Sequence, residues 1–155
     1  MYGFLNIPVS SNNSLKETKY PALLITPGAS ISKPTEPKIS NNYLTLYMSV
    51  HNYDVGLPVG KYEEFKANYK KISPIGSSRY HFTGAPDRER YFYRRALLGI
   101  DRAVNYLAAR PDFNGKQLII QGASQGGFIA LAVAGLNSHI TGVAASQPGF
   151  CDHAG

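Results

Sequence analysis

The stretch Gln121-Gly122-Ala123-Ser124-Gln125-Gly126-Gly127 constrains this chain more than any other. It stands between an apolar run, Leu118-Ile119-Ile120, and a helix-like stretch from Phe128 to Leu136. A strand, a tight glycine-flanked turn with a serine at its apex, and a helix form the layout of a nucleophile elbow. Gly122 and Gly126 carry no Cβ, so strand and helix can close around Ser124. The serine is then expected in a strained backbone conformation that lifts its hydroxyl above the sheet. The backbone N–H of Gln125 opens the helix and points toward the place where a carbonyl oxygen would gain charge. G-x-S-x-G is a common string on its own; the strand before it and the helix after it make it informative.

The rest of the chain supplies matching elements. Tyr2 to Pro8 reads as an edge strand, followed by a polar connector from Ser10 to Lys19. Pro21 to Thr26 is a short continuous apolar run, as expected of a strand buried on both faces. It ends in Pro27-Gly28-Ala29-Ser30, where a glycine lets the backbone turn and present N–H groups. Tyr43 to His51 is the next strand, with Leu44, Leu46 and Met48 alternating against Thr45, Tyr47 and Ser49. Tyr62 to Lys71 has Tyr62, Phe65 and Tyr69 at helical spacing. Ser73 to Arg88 is a long Pro- and Gly-bearing loop whose Tyr80-His81-Phe82 could line a pocket. The longest periodic segment runs from Glu89 to Ala109. There Tyr93, Ala96, Leu97, Ile100, Val104 and Leu107 form one apolar stripe, with Asp87 as N-cap and Pro111 as stop. Ile140 to Ser146 reads as a further buried strand with an open edge that invites association. Strand, helix, strand, helix, strand in this order predicts a mostly parallel sheet with helices on both faces.

Composition narrows the class. At 155 residues and 43% hydrophobic, the chain has room for one modest domain, residues 1–155, with a real core. No stretch has the apolar length of a bilayer-spanning helix. Met1-Tyr2-Gly3-Phe4 lacks a basic segment followed by an apolar core, so no secretory leader is read. Cytoplasmic and secreted or periplasmic locations both stay open. Cys151 is the lone cysteine, which excludes an internal disulfide framework. The net charge of +6 comes largely from Lys and Arg between Lys61 and Arg102. No nucleic-acid motif accompanies them, so they read as a solvated basic face.

Tyr91 through Gly127 resembles the acetyl xylan esterase / cephalosporin C deacetylase family of α/β-hydrolases. The resemblance rests on the aromatic-rich helix start Tyr91-Phe92-Tyr93-Arg94-Arg95 with Asp101-Arg102-Ala103 beyond it, and on the elbow Gly122-Ala123-Ser124-Gln125-Gly126-Gly127. Pro27-Gly28-Ala29 resembles the oxyanion loop of some members. The resemblance implies an α/β-hydrolase fold and Ser124 as nucleophile toward acetyl esters of sugars. It also implies the backbone amides of Gln125 and Ala29 as oxyanion hole, with an acetyl-serine intermediate. It implies no cofactor and no metal. The expected partner is an acetylated oligosaccharide or polysaccharide, with homo-oligomers as a further expectation and neither nucleic acid nor membrane.

The chain departs from the family in two places. After the strand at Tyr43–His51 the family usually has Arg-Gly-Gln, whereas here the sequence reads His51-Asn52-Tyr53-Asp54-Val55-Gly56. The second departure concerns the base. A serine hydroxyl needs a histidine to take its proton and a carboxylate to orient that histidine, in the chain order Ser, Asp or Glu, His. Only His139, Asp152 and His153 follow Ser124 with suitable chemistry. His139 belongs at the wrong edge of the sheet. Asp152 follows a strand at its carboxyl end and is the one candidate acid. The reading is therefore the nucleophile half of a longer hydrolase, with its C-terminal part missing. Two alternatives stand beside it: another serine hydrolase of this fold, peptidase- or lipase-like, and a non-catalytic short paralogue.

Overall fold

The apolar runs and the long periodic segment become five strands and two α-helices in a computed structural model that describes residues 1–9, 18–29, 40–51, 61, 63–64, 67 and 79–150. In chain order these are β1 (Gly3–Asn6), β2 (Tyr20–Thr26) and β3 (Leu44–Met48). A 3₁₀ turn (Tyr80–Phe82), α1 (Phe92–Ala108), β4 (Phe113–Ala123), α2 (Gln125–Ala134) and β5 (Gly142–Ser146) follow. They form one sheet in the order β1-β3-β2-β4-β5. Only the edge strand β1 runs antiparallel; the other pairings are parallel.

Register decides which side chains share a face. Leu24 lies opposite Leu46 on one side and Ile120 on the other, and Ala22 opposite Leu44 and Leu118. All six are buried. They meet Ile100, Val104 and Leu107 of α1 and Ile129 and Val133 of α2 in one core. Each fully buried aliphatic side chain there contributes about 1.5–3 kcal/mol relative to exposure. The intervening residues Leu23, Ile25 and Ile119 point to the other face and are only half-buried.

Both described helices lie on the Leu24–Ile120 face, and crossover handedness explains why. The steps β3-α1-β4 and β4-α2-β5 cross the sheet in the same direction, so right-handed connections place their helices on the same side. Tyr93 of α1 and Phe128 of α2 then meet edge to face, with ring centroids 5.3 Å apart. Asn137, just beyond α2, donates to Asp101 of α1 at 2.7 Å. The chain leaves β2 toward β3 but leaves β4 toward β5, on opposite sides. The carboxyl ends of β2 and β4 therefore flank a topological switch point, where open α/β sheets place their ligands.

Three local expectations are corrected. Helix α1 starts at Phe92 rather than Glu89, and its N-cap Tyr91 makes no side-chain capping bond. Asp87 instead accepts the N–H of Glu89 at 2.8 Å, closing a separate turn ahead of the helix. Helix α2 begins at Gln125, as expected from its opening N–H, so Gly126 and Gly127 are helical residues ahead of the helix-like stretch from Phe128. Strand β5 is not buried as its apolar run suggests. Val143 is 40% exposed because this end strand has a single neighbour among the described residues. At 61–71, Lys61, Glu63, Glu64 and Ala67 are helical, while Tyr62, Phe65 and Tyr69 lie outside the described residues.

Candidate active site

Ser124 sits at the switch point, between the last residue of β4 and the first of α2. Its backbone angles, φ 54° and ψ −120°, lie where non-glycine residues are held only by their surroundings, at a cost on the order of 1–3 kcal/mol. The surroundings are specific. Its N–H donates to Ser146 O at 3.0 Å, and its carbonyl accepts from Phe128 N at 3.1 Å and Gly149 N at 2.9 Å. The turn is thus fastened to β5 on one side and to the first helical turn on the other. Gln147 and Phe150, in the segment that touches it, also have positive φ. The N–H of Gln125 is the first of α2, one of the helix-start donors that no intrahelical acceptor can satisfy.

The glycines act by close approach. A methyl on Gly122 would collide with the Thr26 hydroxyl and the Gly126 carbonyl. On Gly126 it would lie 2.5 Å from Thr26 O and 2.8 Å from Pro27 O. The Thr26 hydroxyl reaches both Gln121 O at 3.0 Å and Gly126 O at 2.9 Å, so its single proton is shared between strand and elbow. Thr26 is thereby a buried staple between the end of β2 and the elbow. Gly28 and Ala29, exposed, continue from it beside the serine turn.

The Gln125 side chain is 1% exposed and points inward. Its Oε1 accepts from the Tyr80 hydroxyl at 2.6 Å and the Tyr93 hydroxyl at 2.9 Å. Its Nε2 donates to Gly28 O at 3.4 Å. Tyr80 and Tyr93 also sit in an aromatic group: Tyr80 packs edge-on against His51 and Phe92, and Tyr93 against Phe150. Burial pushes the Tyr93 hydroxyl well above its ordinary pKa, and the neighbouring Tyr80 and Tyr91 push it the same way. Burial also raises Tyr80. Both therefore remain protonated donors at neutral pH.

A raised folded-state pKa adds stability that is complete below the unfolded value, about 10 for tyrosine, and is lost as pH climbs through the folded value. Denaturation midpoints of the full-length protein should accordingly fall above about pH 10, and Tyr93→Phe should flatten that fall. Equal alkaline slopes for the two proteins would remove Tyr93 as its source.

The structure brings together Ser124, Gln125 and the Gly28-Ala29 turn at the carboxyl ends of β4 and β2. It does not bring His139 to them. That residue precedes β5 at the opposite end of the sheet, with its N–H bonded to Asn137 Oδ1 at 3.0 Å. Asp152, Cys151 and His153 lie outside the described residues. Tyr80, read as a pocket-lining residue of a loop, is buried beneath the elbow instead. Sequence reasoning missed Thr26, Tyr80 and the Gln125 side chain as parts of the site. Their partners lie 32 to 100 residues away, beyond any local pattern. The one signal was a polar Gln at the start of an otherwise apolar helix.

A depression of about 420 Å³ lined by Thr26, Gly28, Gly122 and Ser146 opens beside the elbow. A larger one, about 740 Å³, lies between α1 and the β1–β3 edge and shares no residue with the elbow. Among the described residues, no three His, Cys, Asp or Glu side chains gather as a metal site. No helix among them is long and apolar enough to cross a membrane.

Comparison with known proteins bears on the family and the fold. The family described as acetyl xylan esterase matches residues 17–154. An acetyl esterase of Xylanibacter ruminicola, Axe7A, is 31% identical over 160 residues, covering 100% of this chain and 34% of that protein. The chain thus spans about a third of the length of this relative. Among solved structures, acetyl xylan esterase 1 from Thermoanaerobacterium superposes with a TM-score of 0.64 at 20% identity, covering 89% of this chain and 42% of that one. A dienelactone hydrolase-like promiscuous phosphotriesterase from metagenomic libraries gives 0.50 at 16% identity, covering 86% and 49%. These two likenesses speak to the fold, and the fold is that of the α/β-hydrolase-like esterases. With the family match spanning nearly the whole chain and the elbow standing at the switch point of the sheet, the chain belongs to the acetyl xylan esterase family.

Proposed function

We propose that the protein carrying this chain is a serine carboxylesterase that removes acetyl groups from acetylated sugars, with Ser124 as nucleophile. The observation that carries this reading is the backbone of Ser124, held at positive φ where strand, helix and switch point meet. Strain of this kind persists where the surrounding structure over-determines it, and an exposed hydroxyl is what it would serve.

In this scheme Ser124 Oγ attacks the acetyl carbonyl carbon as its proton passes to a base. The carbonyl electrons move to oxygen, where the amides of Gln125 and Ala29 receive the charge. Collapse breaks the C–O bond to the sugar, whose oxygen takes the proton and leaves as a hydroxyl. Water then attacks the acetyl-serine, releasing acetate and restoring Ser124. We place the base and its orienting carboxylate outside the described residues, with Asp152 retained as the candidate acid within this chain. The 155-residue chain by itself is therefore expected to turn over esters slowly, since loss of the base lowers rates by several orders of magnitude.

Acetylated xylo-oligosaccharide, a long-chain acyl ester and a peptide amide, each offered to the full-length protein, test the substrate class. Acetate release should be the fastest of the three. Faster cleavage of the long-chain ester or of the amide would replace this reading with a lipase or peptidase.

A further inference from the structure

We propose that the side chain of Gln125 is a positioning residue, clamping the Gly28–Ala29 peptide against the elbow and so fixing how the two oxyanion amides face one another. The inference rests on the function proposed above, since it needs Ala29 N–H and Gln125 N–H to work as a pair.

The bonding pattern leaves the amide one orientation. Gly28 O can only accept, so the group facing it at 3.4 Å must be the NH₂. The carbonyl oxygen then faces Tyr80 and Tyr93, and both hydroxyls must donate to it. Two fixed donors hold the buried head group from the α1 side, leaving its NH₂ aimed at the β2 loop. The Gly28 carbonyl and the Ala29 N–H belong to a single planar trans peptide, in which they point in opposite directions. Holding that carbonyl therefore sets the direction of that N–H.

The second amide is the Gln125 backbone N–H itself. One residue thus carries a donor on its backbone and orients the other donor with its side chain. Thr26 fastens the start of the same loop to Gly126 from below, so the Gln125 bond acts on the remaining freedom, rotation about the Gly28–Ala29 segment. At 3.4 Å it is the longest of the three bonds to the amide, which makes it the one that small changes in the head group would break.

The test uses the full-length protein with Gln125→Met, which has similar length and no strong donor, and Gln125→Glu, which is isosteric. Hydrogen exchange of peptides covering residues 28–29 reads the clamp without reference to activity; aryl acetate kinetics read its consequence. Faster exchange at 28–29, with β2 and β4 unchanged, is expected in Gln125→Met. Its kcat should fall about 10- to 100-fold with KM within about twofold, a smaller loss than outright removal of an oxyanion donor.

In Gln125→Glu a neutral carboxyl can still donate to Gly28 O, while a carboxylate cannot. Its activity relative to wild type should therefore fall with rising pH through one proton, a dependence that Gln125→Met lacks. Unchanged exchange at 28–29, loosening spread equally over β2 and β4, or an unchanged kcat would each overturn the proposal. Absence of Ser124-dependent turnover in the wild type would instead sink the esterase reading, and exchange at 28–29 would still decide whether the clamp exists.

Discussion

Replacing Ser124 by alanine in the full-length protein is expected to lower kcat for an aryl acetate by about five to six orders of magnitude, as loss of the nucleophile does in serine hydrolases. Labelling by a serine-directed fluorophosphonate should disappear with it. The fold should persist. Alanine inherits the same positive-φ strain, and the bonds that fasten the turn come from the backbone of residue 124, not from its hydroxyl. The companion variant Ser124→Gly separates strain from chemistry. Glycine adopts φ 54° at little steric cost, so this protein should be as inactive as the alanine variant yet about 1 kcal/mol more stable. Residual turnover within tenfold of wild type in either variant would remove Ser124 as nucleophile.

The second large effect falls on stability. Gly122→Ala is expected to destabilise the protein by about 3 kcal/mol or more, at the upper end of overpacking costs. The new methyl would meet the Thr26 hydroxyl and the Gly126 backbone at once. Backbone cannot rotate away as a side-chain end can, and moving Thr26 would break its bonds to Gln121 and Gly126. Gly126→Ala should cost a similar amount, against the carbonyls of Thr26 and Pro27. Two other glycines serve as controls. At Gly115 a methyl meets nothing within 4 Å, so only its φ of +70° is penalised, at about 1–2 kcal/mol. At Gly142 the nearest atom is at an ordinary 3.6 Å, and the change should be close to neutral. Urea midpoints for the four variants order these costs. A Gly122→Ala protein as stable as Gly142→Ala would refute the close-approach account of the elbow.

Much of the fold was legible in the chain because its signals are local. Leu118-Ile119-Ile120, Pro21–Thr26 and the stripe from Tyr93 to Leu107 each announce an element through a period of two or of three to four. The order of those elements, with crossovers of one hand, leads to a mostly parallel sheet. The elbow too was readable, since its turn, strand and helix are contiguous. Its helix opens at Gln125 as read, although Gly126 and Gly127 have low helix propensity. Tertiary contact to Thr26 and Pro148 overrides that preference. Strand β5 was misjudged because an apolar run reports what could be buried, not whether a neighbour covers it.

Sequence alone thus determined the glycine-flanked serine turn, the strand and helix around it, and the family, because each is written in contiguous residues. Only the tertiary structure decided that Thr26, Gly28, Tyr80 and Tyr93 converge on that turn, and that the Gln125 side chain is spent inward on them. The reason is physical. Hydrogen bonds across 32 to 100 residues are set by strand register and crossover direction, and neither leaves a trace in the spacing of the residues it joins.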